Sequence, residues 1–277
     1  MAANAQHVSI DLDRLGAVEP GPEPGLDPER HFLEGSREEV IAFFLALDSI
    51  NFGSGWFPTL RKRPSCSGYF TVAAGLTDRF RTEGPWTTAQ LAALDGPAVA
   101  RVLGQDEGHE LMALYATALN DLAAFLGDRC GVAVIDAAQG SAERLADQLA
   151  AGMPFYADTG FYKRAQIVPS DLALAGVADF ADLDDLTIFA DNLVPHVLRV
   201  DGVLRYEPRL AARIDAGDLL PPGREERELR ACALHACELI SRQSGVPARA
   251  IDHRLWNRGQ APEYKAVPRH RTRTVFY

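Results

Sequence analysis

The sequence predicts a mainly α protein, a single helical domain with a few short strands. Three observations lead there: helix-start signals followed by apolar residues at helical spacing, a Pro-before and Gly-after bracket around one long segment, and strand signals that are few and short. Ser36 followed by Glu39 forms a capping box and opens an apolar-rich helix to about Asp48. Thr87 with Gln90 repeats the device ahead of a segment ending near Gly104. Residues 107–126 place Leu111, Leu114, Ala118, Leu122 and Phe125 at a helical period, and Ser141 caps a helix over 142–151. Residues 225–242 follow Pro221-Pro222 and stop at Gly245, the asymmetry expected of helix ends. Strands are expected at 68–73 and at the terminal 272–277, with a weaker signal at 131–135.

Residues 1–35 carry Pro20, Pro22, Pro24 and Pro28 among Gly16, Gly21, Gly25 and Gly35, a composition that resists regular structure and predicts a loose leader. The helical domain then runs over 36–277, with any seam expected near 104–152; no repeat and no linker divides it. Among 277 residues, 47% are apolar and 24% charged, enough for a packed core and far from a disordered composition. A net charge of −10, from 28 basic and 38 acidic residues, disfavours binding to a polyanion through its phosphates. The longest apolar run, 40–47, is too short for a membrane helix, and no signal-peptide pattern opens the chain, so a cytoplasmic protein is expected. Cys66, Cys130, Cys232 and Cys237 are too few and scattered for a disulfide framework. Cys232-x-x-His235-x-Cys237 has the residue types of a metal site, but on a helix His235 and Cys237 diverge by about 160°, so buried thiols are expected and no metal.

The window 186–198, Leu-Thr-Ile-Phe-Ala-Asp-Asn-Leu-Val-Pro-His-Val-Leu, contains a single formal charge, Asp191. An ionised carboxylate in such surroundings is paired, protonated or functional, because burying it alone costs several kcal/mol. If the segment is helical throughout, Pro195 crowds the carbonyl of residue 191 and kinks the helix there, presenting the carboxylate to a cavity. The other reading is that Asp191 caps a helix starting near Asn192. Asp182, Asp184 and Asp185 read as a solvated helix start.

Three further windows hold candidates. In Asp158-Thr-Gly-Phe-Tyr-Lys-Arg-Ala-Gln166, Lys163 and Arg164 follow Phe161 and Tyr162 and can hold an anionic substrate group; the alternative is a surface turn with Tyr162 packed inward. In 47–57, Phe52 and Trp56 can sandwich a planar heterocycle while Asn51 offers donor and acceptor, or the two rings simply plug the core. Gly53 and Gly55 lack the Lys-Ser/Thr pair of a phosphate loop. From His253 to Tyr277 six Lys or Arg stand against one acid, Glu263, a local +5 that suits a single phosphate better than a nucleic-acid backbone. In an extended chain Arg269, Arg271 and Arg273 share a face with Val275 and Tyr277, and the terminal Phe-Tyr argues for a docked tail.

Together these windows resemble the queuosine-salvage family, the queuosine 5′-phosphate N-glycosylases. The matching features, in order, are Leu47-Asp48-x-x-Asn51-Phe52-x-x-x-Trp56; Lys163-Arg-Ala-Gln166 with Asp171; Thr187-x-Phe-Ala-Asp191; Val194-Pro195-x-Val-Leu198; Gly202-Val-Leu-x-Tyr206; Glu228-x-Arg230; Leu255-Trp256; and His270-Arg-x-Arg273 with the terminal Phe-Tyr. They span about 36–277. The chain departs from the family where many members read Phe-Ala-Asp-Tyr-Arg-Val-Pro-Gln and this one has Asn192, Leu193 and His196.

The resemblance implies a fold related to the helix-rich DNA glycosylases and hydrolysis of the bond between ribose and a 7-deazaguanine base, releasing queuine for tRNA modification. It places the catalytic carboxylate on Asp191 and a substrate-contacting lysine on Lys163. Such a carboxylate stabilises the positive charge that develops on the sugar, and attacks it or orients water. On this reading Phe52, Trp56 and Tyr162 hold the base with Asn51, and Asp158 lies beside it. Lys163 with Arg199 or the C-terminal Arg271 and Arg273 anchors the 5′-phosphate, and His196 replaces the glutamine as a hydrogen-bond partner. No metal or redox cofactor is called for, and the substrate is a small molecule, with no membrane and no stable nucleic-acid partner. Two rivals remain: a DNA or RNA base-excision glycosylase, and a noncatalytic nucleotide-binding module.

Overall fold

The computed structural model describes residues 1–18 and 25–277. It is mainly α, and the chain divides into two compact units, Gly25–Leu183 and, in the second, residues 1–18 with Asp184–Val275 and Tyr277. Residues 104–152 lie inside the first unit, and the chain passes between units at 183/184.

In the first unit, α1 (Arg37–Ser49) begins with the expected capping box, Ser36 and Glu39 each bonding the other's backbone N–H. From Val40 onward almost every residue of α1 is buried, as a helix apolar all round must be. It packs against α2 (Gly68–Glu83), α5 (Glu110–Leu126), α6 (Gly131–Ala137) and α8 (Lys163–Leu174). The segment from Thr87 to Gly104 is two helices, α3 (Thr88–Ala92) and α4 (Gly96–Leu103), because Asp95 caps Ala98 and Pro97 restarts the chain at a helix N-terminus. Ser141 caps α7 (Ala142–Gly152), assisted by Asp182, whose carboxylate accepts from Ser141 Oγ and Ala142 N.

Two expected strands are helices. Residues 68–73 open α2: Ser67 accepts from Phe70 N, and Gly68 lies so close to Phe57 that a Cβ would come within 2.3 Å of the ring. Residues 131–135 lie in α6, where Gly131 meets Ile41 and Leu45 of α1. In both, helical burial against a neighbour outweighs the local β-branched pattern. The terminal 272–277 form no strand either; only Arg271 makes a parallel bridge, with Leu219.

The second unit contains the two-stranded sheet seen among the described residues. Near the N-terminus, where composition predicts a loose leader, β1 (Val8–Ile10) pairs antiparallel with β2 (Leu204–Tyr206), with Val8 opposite Tyr206 and Ile10 opposite Leu204. Pro20, Gly21, Pro22 and Pro24 lie outside the described residues. The helices are α9 (Leu193–Val200), α10 (Pro208–Asp215), α11 (Arg224–Ser244), α12 (Ala248–Arg258) and α13 (Pro262–Lys265). Helix α9 packs on α11, α12, α13 and β2, and Gly259 lets the chain pass close to Leu193 and Val197. On α11, Cys232 and Cys237 are buried free thiols while His235 is exposed. No helix among the described residues is long and apolar enough to cross a membrane.

Candidate active site

Asp191 ends a non-helical, largely buried segment, 187–191, and α9 starts at Leu193. Pro195 therefore sits in the first turn, where a proline is tolerated, and the kink expected of a continuous helix does not occur. Asp191 Oδ1 accepts from Leu193 N at 2.7 Å and Val194 N at 3.2 Å, which makes it the cap of α9. Its Oδ2 takes no hydrogen bond among the described residues, and the side chain is half-buried.

The segment leading to this carboxylate is fixed by groups far away in sequence. Asp252 of α12 accepts from Phe189 N at 3.0 Å, and Arg230 of α11 donates from Nε to the Ala190 carbonyl at 2.7 Å. Asn192 Nδ2 donates to the His270 carbonyl at 2.9 Å. Arg230 is itself buried, 3.3 Å from Glu226 and with its guanidinium 4.6 Å over the Tyr277 ring, which docks the C-terminus. Burial, with Arg230, His196 and Arg269 nearby, depresses the His270 imidazole to about 3, so it is neutral.

In the first unit, Lys163 and Arg164 stand at the start of α8, after Tyr162 turns the chain with φ of 50°. Lys163 is buried, and its Nζ donates to the Asn51 carbonyl at 3.1 Å. Arg164 donates to the Ser49 carbonyl at 2.6 Å and to the Phe155 carbonyl, its guanidinium 4.7 Å from the ring centres of both Phe52 and Tyr156. Burial lowers Arg164 to about 10, against the pull of Tyr156, Asp158 and Asp48. Asp48, wholly buried on α1, has one oxygen 3.5 Å from Asn51 Nδ2 and the other without a hydrogen-bond partner among the described residues. Burial pushes its carboxyl up to about 7, although Lys163, Asn51 and Arg164 oppose the rise.

The sequence-predicted residues thus fall into separate settings. Asn51, Phe52, Asp158 and Lys163 share the neighbourhood of Asp48 and Arg164, the backbone N–H of Lys163 lying 3.5 Å from Asp158 Oδ2. Phe52 and Trp56, 1% and 4% exposed, are core plugs: Phe52 meets Tyr115 and Phe155 edge-on, and Trp56 Nε1 donates to Glu110 at 2.8 Å. Tyr162 points outward rather than inward, 39% exposed, while its neighbour Phe161 is buried. In the second unit, Arg199 pairs with Asp215 at 2.9 Å and lies over the Tyr206 ring, so its charge is already engaged. His196 Nε2 faces the Tyr264 carbonyl at 2.8 Å. Arg271 donates to the Gly217 carbonyl at 2.6 Å, and Arg273 is exposed. The sequence offered Arg164 beside Lys163 as a holder of an anionic group, and it gave no role to Asp252, nor to Asp48 and Arg230 beyond their place in the matching motifs. Asp48 carried a readable signal, being the sole charge in 40–50.

The queuosine salvage protein profile matches residues 31–277. The chain belongs to that family. A relative from Sphaerobacter thermophilus is 33% identical, covering 99% of this chain and 94% of its own length. One from Mus musculus is 27% identical over 88% of this chain and 83% of its own, and one from Dictyostelium discoideum is 40% identical over 42% and 40%. All three are named queuosine 5′-phosphate N-glycosylase/hydrolase. Within this family the capped carboxylate at Asp191 and the buried Lys163 both fall on the motifs that carried the resemblance.

Proposed function

We infer that the chain hydrolyses the N-glycosidic bond of queuosine 5′-phosphate, releasing queuine and ribose 5-phosphate. The observation that carries this is membership of the queuosine salvage family over almost the whole chain, alongside a relative of that name with which it shares 33% identity end to end. The reaction adds water across the bond between C1′ and the base nitrogen: the base leaves with a proton and the sugar keeps the hydroxyl.

Asp191 is our candidate for the group beneath C1′. Its Oδ1 is committed to the α9 N–H groups and its Oδ2 is available to stabilise the oxocarbenium ion, and to attack it or orient water. Lys163, held by the Asn51 carbonyl, is the candidate substrate-contacting lysine. The engaged Arg199 and the core-bound Phe52 and Trp56 are better suited to shaping their surroundings than to direct contact. A net charge of −10 supports a single nucleotide over a polymer as substrate, and we propose a cytoplasmic site of action.

Mass-spectrometric detection of queuine after incubation with queuosine 5′-phosphate tests the assignment. Release from the mononucleotide, with none from modified tRNA, is expected. A folded protein that yields no base, or that acts only on the polymer, overturns it.

A further inference from the structure

Within the second unit a cavity of about 250 Å³ is walled by Leu193 and His196 of α9, Tyr264 and Lys265 of α13, and the tail residues Arg269 and Arg271. Its lining includes three cationic side chains and no acid. Among the described residues, neither the Lys265 nor the Arg269 side chain makes a hydrogen bond or ion pair, and Arg271 spends one amine on the Gly217 carbonyl. Three like charges drawn to one small concavity repel one another, and Arg269 feels both Arg271 and the burial that disfavours its charge. Asp191 offsets this through space, which places the cavity in the electrostatic neighbourhood of the candidate catalytic carboxylate. An anion relieves the repulsion directly. The volume lies below the roughly 300 Å³ at which drug-sized ligands begin to fit, so it suits a phosphate group with a few attached atoms rather than a whole nucleotide.

His196 narrows the ligand class. Nε2 meets a carbonyl oxygen, which can only accept, so Nε2 carries the hydrogen. Burial together with Arg269 and Arg199 lowers the imidazole pKa, keeping the ring neutral and making Nδ1 an acceptor. That nitrogen is buried and has no hydrogen-bond partner among the described residues. The wall therefore offers three donors of positive charge and one acceptor seeking an O–H.

We propose that this cavity binds the phosphate end of a sugar phosphate, with Lys265, Arg269 and Arg271 on the phosphate oxygens and His196 Nδ1 accepting from a hydroxyl. The proposal rests on the glycosidase reading for its ligand, ribose 5-phosphate as product and the same moiety in the substrate. It moves the phosphate contacts from Arg199, already paired with Asp215, and from Arg273, which does not line the cavity, to Lys265 and Arg269.

Calorimetric titration of the full chain with ribose 5-phosphate, inorganic phosphate and ribose tests it, together with steady-state queuine release. Ribose 5-phosphate should bind more tightly than inorganic phosphate, and ribose not measurably. Lys265→Ala, at an exposed position whose loss leaves the core intact, and Arg269→Gln should each weaken ribose 5-phosphate binding about tenfold or more. They should raise KM for queuosine 5′-phosphate by a larger factor than KM for unphosphorylated queuosine. His196→Leu should narrow the gap between ribose 5-phosphate and inorganic phosphate. If wild-type protein releases queuine and both cation variants keep their Kd and KM within twofold, the cavity assignment falls and the glycosidase reading stands. If ribose 5-phosphate binds with dependence on Lys265 but no queuine is ever released, the cavity assignment stands and the glycosidase reading falls.

Discussion

Replacing Asp191 by Asn separates two jobs that the structure assigns to one side chain. Asparagine keeps an oxygen for Leu193 N and Val194 N, and Asn and Asp are near-equal caps, so the start of α9 should survive. What is lost is the charge at the helix N-terminus, about 0.3–1 kcal/mol. For a chain of this size that lowers Tm by only about 2–4 °C at most. Catalysis should respond on a different scale. Removing a charge placed to stabilise the developing oxocarbenium ion is expected to cost about 1000-fold in kcat, roughly 4 kcal/mol. Asp191→Ala should match that loss of turnover and add the cost of the missing cap, about 1 kcal/mol. Chromatography with mass detection of queuine at saturating queuosine 5′-phosphate gives kcat, and circular-dichroism melts give Tm. An Asp191→Asn protein that keeps more than a tenth of wild-type kcat would show that this carboxylate is a helix cap and nothing more.

Three other substitutions probe buried positions in the two units. Arg230→Met should destabilise the protein by about 3–5 kcal/mol in urea unfolding, because it removes the guanidinium beside the buried Glu226 and the donor to the Ala190 carbonyl. It should also lower kcat, since Ala190 precedes Asp191. Gly259→Ala should cost about 1–3 kcal/mol by overpacking, as its Cβ would stand 2.8 Å from Leu193 Cδ1 and Val197 Cγ2 while the backbone φ of −63° is ordinary. Asp48→Asn tests the buried carboxyl. With a folded pKa of about 7 against 3.8, the folded state binds the extra proton, so this group's contribution to wild-type stability falls as pH rises from about 4 to about 7. The variant should gain stability relative to wild type at pH 8 and little at pH 4, a difference read from paired denaturation curves; an equal shift at both values contradicts the burial argument.

What the sequence disclosed was local. Capping is an interaction over three residues, so Ser36 with Glu39, Thr87 with Gln90, and Ser141 marked real helix starts, and Gly245 marked a real end. Even the split between α3 and α4 was written in Asp95-Gly-Pro97. The pairing of β1 with β2 joins residues nearly two hundred positions apart, and no local pattern in 8–10 announces a partner at 204–206. Helices α2 and α6 were obscured because Tyr-Phe-Thr-Val and Val-Ala-Val-Ile carry strand propensity that packing overrides. At the site, a lone charge in an apolar run exposed Asp191, and the same rule finds Asp48 on α1. Arg164 and Arg230 escape it: they lie among other charges, and only tertiary partners, Phe52 with Tyr156 and Ala190 with Tyr277, show that they are buried. The basic excess in the tail was legible as a sum. Which of its six cations meet at one cavity is a property of the fold.

The proline after Asp191 supplies a last argument. A helix start leaves its first N–H groups without intrahelical acceptors. In α9 the first two, on Leu193 and Val194, go to Asp191 Oδ1, and the third residue is Pro195, which has no N–H. One carboxylate oxygen therefore satisfies the turn, and the other takes no hydrogen bond among the described residues. Pro195→Ala restores an N–H four residues after Asp191, whose ordinary helical acceptor is the Asp191 backbone carbonyl, so the new donor closes a main-chain bond and leaves Oδ2 clear. Because the side chain at 195 is buried and alanine is a good helix former, Tm should change by no more than a few degrees. Because the restored N–H is directed at a backbone carbonyl and not at the carboxylate, kcat should stay within about twofold of wild type. A fall in kcat of about tenfold or more would mean that the restored N–H takes the second carboxylate oxygen instead, and that keeping this oxygen clear is what the proline does.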